Sequence, residues 1–355
     1  MVDYLRTAVI STAIGYPLQT WVRYLQPLRR SGFSGDVLLT VGATELEGVP
    51  SELRAFARAM NASLFPSSAA SHKQSRGHLF THRFLVAAQW CAVYDFCLTT
   101  DFRDVYFQSD PFAQLRLRPA SQRPDLLLPL ETPSVDLLQC PFSTKLLTEC
   151  FGQDGRQEVG AMSAFANRSI INAGTFIASP RGLRALAEVI HLATPKCKHV
   201  DKLSLNSDQA ILNHAVYTRR LSSAVDSHHR GSDRRYNLTI ELQANGAGLM
   251  SVMSRVSMRT AKGWAHAVTE EERARGVVLG NHPMGYWASH GGICSVLWME
   301  ADGSTSCRAA EELAGPPALI HMYNRVEYVR LKLLRANAHT PNFTMARRYW
   351  GAGWV

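Results

Sequence analysis

The opening of the chain alternates between two hydrophobic periods, and that alternation leaves few folds open. Thr7 to Ile14 (TAVISTAI) is an uninterrupted β-branched and apolar run that stops at Gly15-Tyr16-Pro17, the pattern of a buried strand followed by a turn. Residues 18–30 (LQTWVRYLQPLRR) carry apolar residues at helical spacing, broken near Pro27. Gly35-Asp36 leads into a second strand, Val37 to Val41, and Ser51-Glu52 suit the cap and first turn of a helix reaching Met60. A third short strand covers Ser63 to Phe65. Strands separated by helices pair in parallel, because a parallel partner needs a long crossover. The expected fold class is therefore α/β: a mixed, mostly parallel sheet flanked by helices.

The remaining chain continues in the same style. Residues 66–78 are rich in Ser, His, Lys and Gln and read as a loop. Phe80, Phe84, Ala87, Cys91 and Tyr94 then form one helical stripe, and Phe96 to Thr100 is a short buried strand. Two strands are expected within 113–140, one of them Leu126 to Leu130, and another within 170–179. Leu183, Leu186, Ala187 and Ile190 mark a helix, as does 207–217; a hairpin is expected near 293–307 and a strand from Ala318 to Met322. No repeat or linker interrupts the pattern, so residues 1–335 read as one domain and 336–355 as a basic tail.

Composition narrows the function. Hydrophobic residues make up 46% and charged residues 19%, the balance of a globular protein with a large core. The net charge of +9 favours anionic partners, but the basic residues are dispersed in pairs such as Arg29-Arg30 and Arg347-Arg348. Without a basic run or an interleaved aromatic motif, a nucleic-acid partner is not expected. The seven cysteines include no CxxC pair, which removes zinc-ribbon and thioredoxin readings. Cys294 and Cys307 flank a turn at Asp302-Gly303; a two-residue turn would set Cys307 opposite Trp298, which argues against their pairing. Four Asn-x-Ser/Thr triplets, at Asn61, Asn167, Asn237 and Asn342, lean toward a secretory or Golgi lumen rather than the cytoplasm. No run of 18 apolar residues encodes a transmembrane segment, and the first residues lack a signal peptide, so either the protein is cytosolic or an anchor lies outside this chain.

Chemistry concentrates after the Phe96–Thr100 strand, in Asp101-Phe102-Arg103-Asp104-Val105-Tyr106-Phe107-Gln108-Ser109-Asp110-Pro111-Phe112. Two carboxylates three apart stand at the carboxyl end of a buried strand, where open α/β sheets bind ligands. Carboxylate oxygens suit Mg²⁺ or Mn²⁺, and such an ion holds a diphosphate. Asp110 before Pro111 reads instead as a turn onset.

This string resembles the D-x-R-D-V-x-F-Q-x-D-P-F signature of a group of nucleotide-diphospho-sugar transferases, a variant of the DxD motif of the glycosyltransferase-A fold. In the commoner form the two acids are two apart; here Phe102 takes the place of the first acid and Asp101 stands one residue earlier. Three further segments are similar to that fold's pattern, in the same order. Asn172-Ala173-Gly174 resembles the element lining the donor sugar in family 8 glycosyltransferases, and Ser207 to Asn213 (SDQAILN) resembles its D-Q-x-x-L-N helix. Ile320 to Arg325 (IHMYNR) resembles a C-terminal V-H-Q-Y-D-R, with Met322 and Asn324 departing from it. The likeness spans roughly residues 5–330.

The resemblance implies a glycosyltransferase moving a hexose or pentose from a nucleotide diphosphate sugar, first of all a UDP-sugar, to a glycan, protein or lipid acceptor. It implies Mn²⁺ (or Mg²⁺) held by Asp101, Asp104 and His321. Donor contacts would come from Thr12, Ala13, Arg83, Asp101, Asn172, Ala173, Gly174 and Arg325. Asp208 would fix sugar hydroxyls and Gln209 would face the anomeric carbon, with its configuration retained. Loops at 66–78, 140–168 and 219–275 are expected to choose the acceptor. The alternative is a catalytically inactive glycosyltransferase-like binding protein. A nucleotidyltransferase would want a Gly-rich phosphate loop after the first strand, and ISTAIGYPLQT supplies none.

Overall fold

The computed structural model describes residues 5–42, 46–66, 76–103, 105–107, 109–131, 136–161, 168–197, 207–221, 237–243, 250–252, 298–299, 305–306 and 319–321. Strands β1 (Thr7–Thr12), β2 (Asp36–Val41), β3 (Ala62–Pro66) and β4 (Phe96–Thr100) are mutually parallel, joined through helices α1 (Leu18–Arg30), α2 (Ser51–Ala59) and α3 (Arg76–Cys91). The sheet continues through β6 (Leu126–Pro129), β7 (Thr175–Ala178) and β8 (Ile240–Gln243), giving the order β3-β2-β1-β4-β7-β6-β8. Strand β7 pairs antiparallel with both β4 and β6, and β8 is parallel to β6. Only β7 therefore runs against the other six, and the mixed, mostly parallel α/β sheet expected from the sequence is observed.

The period-2 pleat sorts the strand residues onto two cores. Ala8, Ile10, Leu38, Cys97, Leu126, Leu128, Phe176 and Ala178 face one side, with α3, α5 (Pro141–Ala161), α6 (Pro180–Ala193) and α7 (Ser207–Tyr217) packed on it. Val9, Val37, Leu39, Leu98, Leu127 and Ile177 face the other, covered by α1 and α2. Helix α1 buries Trp21, Tyr24, Leu25 and Leu28, a spacing that keeps one stripe on the sheet. Strand β5 (Val105–Phe107) leaves the main sheet and pairs antiparallel with β12 (Leu319–His321), which is parallel to β9 (Met250–Val252).

Several expectations are corrected. Helix α3 begins at Arg76, inside the segment read as a loop at 66–78. Of the two strands expected in 113–140, the one from Leu126 is β6, and no second strand is found among the described residues there; Ala113–Leu117 is helix α4. Leu115 and Leu117 alternate with arginines as in a strand, but only Leu115 is buried, and Asp110 Oδ1 accepts from the Phe112 N–H at 2.9 Å to start a turn, as read. Much of 140–168, expected to be a loop, is α5; Gly152, at φ 68°, breaks it into two pieces and masked its helical spacing. In the hairpin, β10 (Trp298–Met299) and β11 (Thr305–Ser306) pair with Ser306 opposite Trp298, one residue off the two-residue-turn register. Residues 336–355 and most of 219–275 lie outside the described residues. No helix among the described residues is long and apolar enough to cross a membrane.

His214, 1% exposed on α7, stacks on Phe151 with ring centroids 3.8 Å apart and has Nε2 3.0 Å from Glu158 Oε2. Burial, aided by the Arg220 charge and opposed by Glu158, pushes its pKa down to about 4. Between about 4 and the unfolded value near 6.5, the unfolded chain holds a proton on this residue that the folded chain does not. Its contribution to stability is thus present above pH of about 6.5 and lost as pH falls toward about 4. We expect thermal unfolding midpoints to drop across that window and His214→Gln to flatten the drop; equal slopes in both proteins would contradict this assignment.

Candidate functional site

Six strands of the main sheet end at one rim, and the reversed β7 begins there. That reversal brings Asn172-Ala173-Gly174 beside the residue that follows β4: the Asp101 N–H donates to the Gly174 carbonyl at 2.6 Å. Asn172 folds its own turn, with Oδ1 accepting from the Gly174 and Thr175 N–H groups at 2.9 and 3.1 Å. One layer below, Ser11 Oγ donates to the Thr100 carbonyl at 2.6 Å, and the Thr100 and Thr175 hydroxyls are 3.2 Å apart.

Arg83 of α3 gathers these pieces. Its Nη1 donates to Asp101 Oδ1 at 2.5 Å, and its Nη2 to the Ala173 carbonyl at 2.9 Å and to Asp208 Oδ2 at 2.6 Å. The planar fork of arginine, with donors fixed on two terminal nitrogens, suits this set of acceptors. Asp208 sits in the first turn of α7, and its Oδ1 accepts from the Gln209 N–H at 2.8 Å. The Gln209 and Asn172 side-chain amides each donate to Glu131 Oε1 at 3.1 Å, just past the end of β6. Asn213, one turn along α7, bonds the Ile171 N–H and carbonyl at 2.8 and 2.9 Å and so seats the helix against the strand entry.

The charges are uneven. Asp208 is 4% exposed and Asp101 34% exposed, so one guanidinium faces a buried and a partly open carboxylate. Burial pushes the Asp208 carboxyl above its ordinary pKa; the Asp101 charge adds to that, and Arg83 and the Gln209 N–H oppose it. For Arg83 burial works downward, but the two aspartates outweigh it and raise its pKa. Arg83 is therefore protonated, one positive charge set between two carboxylates.

Phe102, the residue in place of the motif's usual acid, is 3% exposed and packs on Tyr16, Trp21 and Tyr24 at 5.7, 5.3 and 4.5 Å between ring centroids. It anchors the turn after β4 in the core, while Asp101 on the neighbouring position remains partly open. Tyr16 and Trp21 also line a cleft of about 580 Å³ at the ends of β1 and β2, together with Ala13, Val41, Val49 and Glu52. Its volume lies in the range of small-molecule sites.

Seven residues singled out in the sequence thus meet in one hydrogen-bonded network: Arg83, Asp101, Asn172, Ala173, Gly174, Asp208 and Gln209. Ala13 lines the cleft, and Thr12 is the partly buried last residue of β1. Arg83, expected at the nucleotide, is instead held by protein acceptors. Asp104 and Arg325 lie outside the described residues, and of His321 only the backbone is described, paired opposite Val105. Among the described residues no three His, Cys, Asp or Glu side chains group as a metal site. Glu131 and Asn213 were missed as members of the site. Glu131 follows an apolar strand just as Asp101 does, and Asn213 is four residues from Gln209 on one helix face, so both signals were present.

The chain matches no model of a known protein family and has no significant match among curated proteins.

Arg83→Met would leave Asp208 as a buried charge without its partner. We expect a loss of about 3–5 kcal/mol in urea unfolding; a loss below about 1 kcal/mol would show that the aspartates do not depend on Arg83.

Proposed function

We propose that this chain is a glycosyltransferase of the glycosyltransferase-A type, dependent on a divalent metal and using a nucleotide diphosphate sugar, first of all a UDP-sugar. The observation that carries this reading is the convergence of Asp101, Asn172–Gly174, Asp208 and Gln209 at one rim, beside a cleft of about 580 Å³. These three motif segments are far apart in the chain, so a chance resemblance gives no reason for them to meet. Residues that would hold Mn²⁺ (or Mg²⁺) are Asp101, Asp104 and His321. Asp101 fits that part in being a hard oxygen donor that is partly open to solvent. When bound, the ion would supply electrostatic stabilisation for the departing diphosphate.

In the transfer, the bond between the anomeric carbon and the diphosphate oxygen breaks with its electron pair going to oxygen. The acceptor hydroxyl forms the new bond and gives up its proton. Asp208 would hold the sugar hydroxyls and Gln209 would face the anomeric carbon, and the hydrogen bonds around them keep both side chains in place before the donor arrives. Retention of anomeric configuration follows from the family 8 likeness. A secretory or Golgi setting accords with the Asn-x-Ser/Thr triplets.

The second reading, a catalytically inactive glycosyltransferase-like binding protein, is favoured by one observation: Asp101 and Asp208 are both engaged by Arg83. Nucleotide release from a panel of UDP- and GDP-sugars, with and without Mn²⁺, separates the two. The enzyme reading expects Mn²⁺-dependent turnover of one donor, reduced about 10²-fold or more by Asp104→Ala and by Gln209→Ala. Donor binding without turnover in any metal would support the binding protein, and neither binding nor turnover would overturn both.

A further inference from the structure

Two Asn-x-Ser/Thr triplets fall among the described residues, Asn61-Ala62-Ser63 and Asn237-Leu238-Thr239, and they are built alike. In each the asparagine is exposed, the middle residue is buried (Ala62 at 7%, Leu238 at 8%) and the hydroxyl residue is exposed again. In each the asparagine has a left-handed backbone, with φ 48° and 45°. In each its carbonyl is held by an arginine: Arg29 Nη2 donates to Asn61 O at 2.7 Å, and Arg181 Nη2 to Asn237 O at 2.6 Å. A left-handed turn alone accounts for an asparagine, which tolerates that backbone better than most residues. It gives no reason for an exposed hydroxyl two residues later at both places.

Their position in the fold is also shared. Asn61 leads into β3 and Asn237 into β8, the two outermost strands of the sheet. Both strands run parallel to β4 in the sheet, so both asparagines stand at the amino rim, opposite the rim that carries Asp101 and Asp208. A bulky group on either one meets neither the candidate site nor the cleft.

The structure contains two disulfides, Cys91–Cys97 and Cys150–Cys197, with all four residues buried. Disulfides built into a core belong to an oxidising lumen, which is also where asparagine-linked glycans are added.

We propose that Asn61 and Asn237 are N-glycosylated. In the transfer, Asn Nδ2 forms a bond to C1 of an oligosaccharide carried on a polyprenyl diphosphate. The C1–O bond to the diphosphate breaks, Nδ2 loses one proton and the polyprenyl diphosphate departs. This inference does not depend on the activity proposed above.

The test uses the full-length protein purified from its own cells. It is treated with peptide N-glycosidase F in ¹⁸O water and its peptides are read by mass spectrometry. The expected result is ¹⁸O-labelled aspartate at positions 61 and 237. Ser63→Ala and Thr239→Ala, which keep the asparagines and their left-handed turns, should each remove one glycan step on a denaturing gel. Recovery of either position as unmodified asparagine overturns the assignment at that position.

Discussion

One guanidinium determines whether this site exists. Helix α3, the end of β4, the entry to β7 and the start of α7 are far apart in the chain, and Arg83 bonds to the last three. Without it, Asp208 would keep a buried carboxylate with no opposite charge beside it. With it, Asp208 is held within the core and Asp101 is left at the edge, partly open to solvent. The burial of an ion pair is costly, and it is tolerated where the geometry supplies further hydrogen bonds; here the Ala173 carbonyl and the Gln209 N–H supply them.

The sheet makes that arrangement reachable. If β7 ran parallel to its neighbours, Asn172–Gly174 would stand at the far rim, away from Asp101. Its reversal puts a strand entry next to a strand exit, and the Asp101–Gly174 main-chain bond records that contact. Phe102 completes the construction from the other face. Its ring packs among Tyr16, Trp21 and Tyr24 and links the turn after β4 to the wall of the cleft. The opposite rim is left for chain entries and for the two exposed asparagine triplets.

Much of this was legible in the amino-acid sequence, for identifiable reasons. Helix α1 and strand β4 read correctly because each carries an unbroken period of one kind, buried against one core. Helix α4 was not read because its leucines alternate with arginines over too few residues to show a helical period, and α5 because three glycines interrupt its stripe. The site residues Asp101, Asn172 and Asp208 were found through motif chemistry. The role of Arg83 was not, since a lone arginine on a helix carries no mark of the acids it will meet 18 and 125 residues further on. Glu131 stands after an apolar strand as Asp101 does, but the partners that bring it into the site, Asn172 and Gln209, come from two other elements.

The dependence of the site on Arg83 is tested most directly by a double-mutant cycle. Unfolding free energies in urea would be measured for the native chain, Arg83→Met, Asp208→Asn and the pair. The account predicts a coupling of about 1–3 kcal/mol, with the double variant less damaged than the sum of the single ones. Additivity to within about 0.5 kcal/mol would contradict it, placing the two residues side by side without either holding the other.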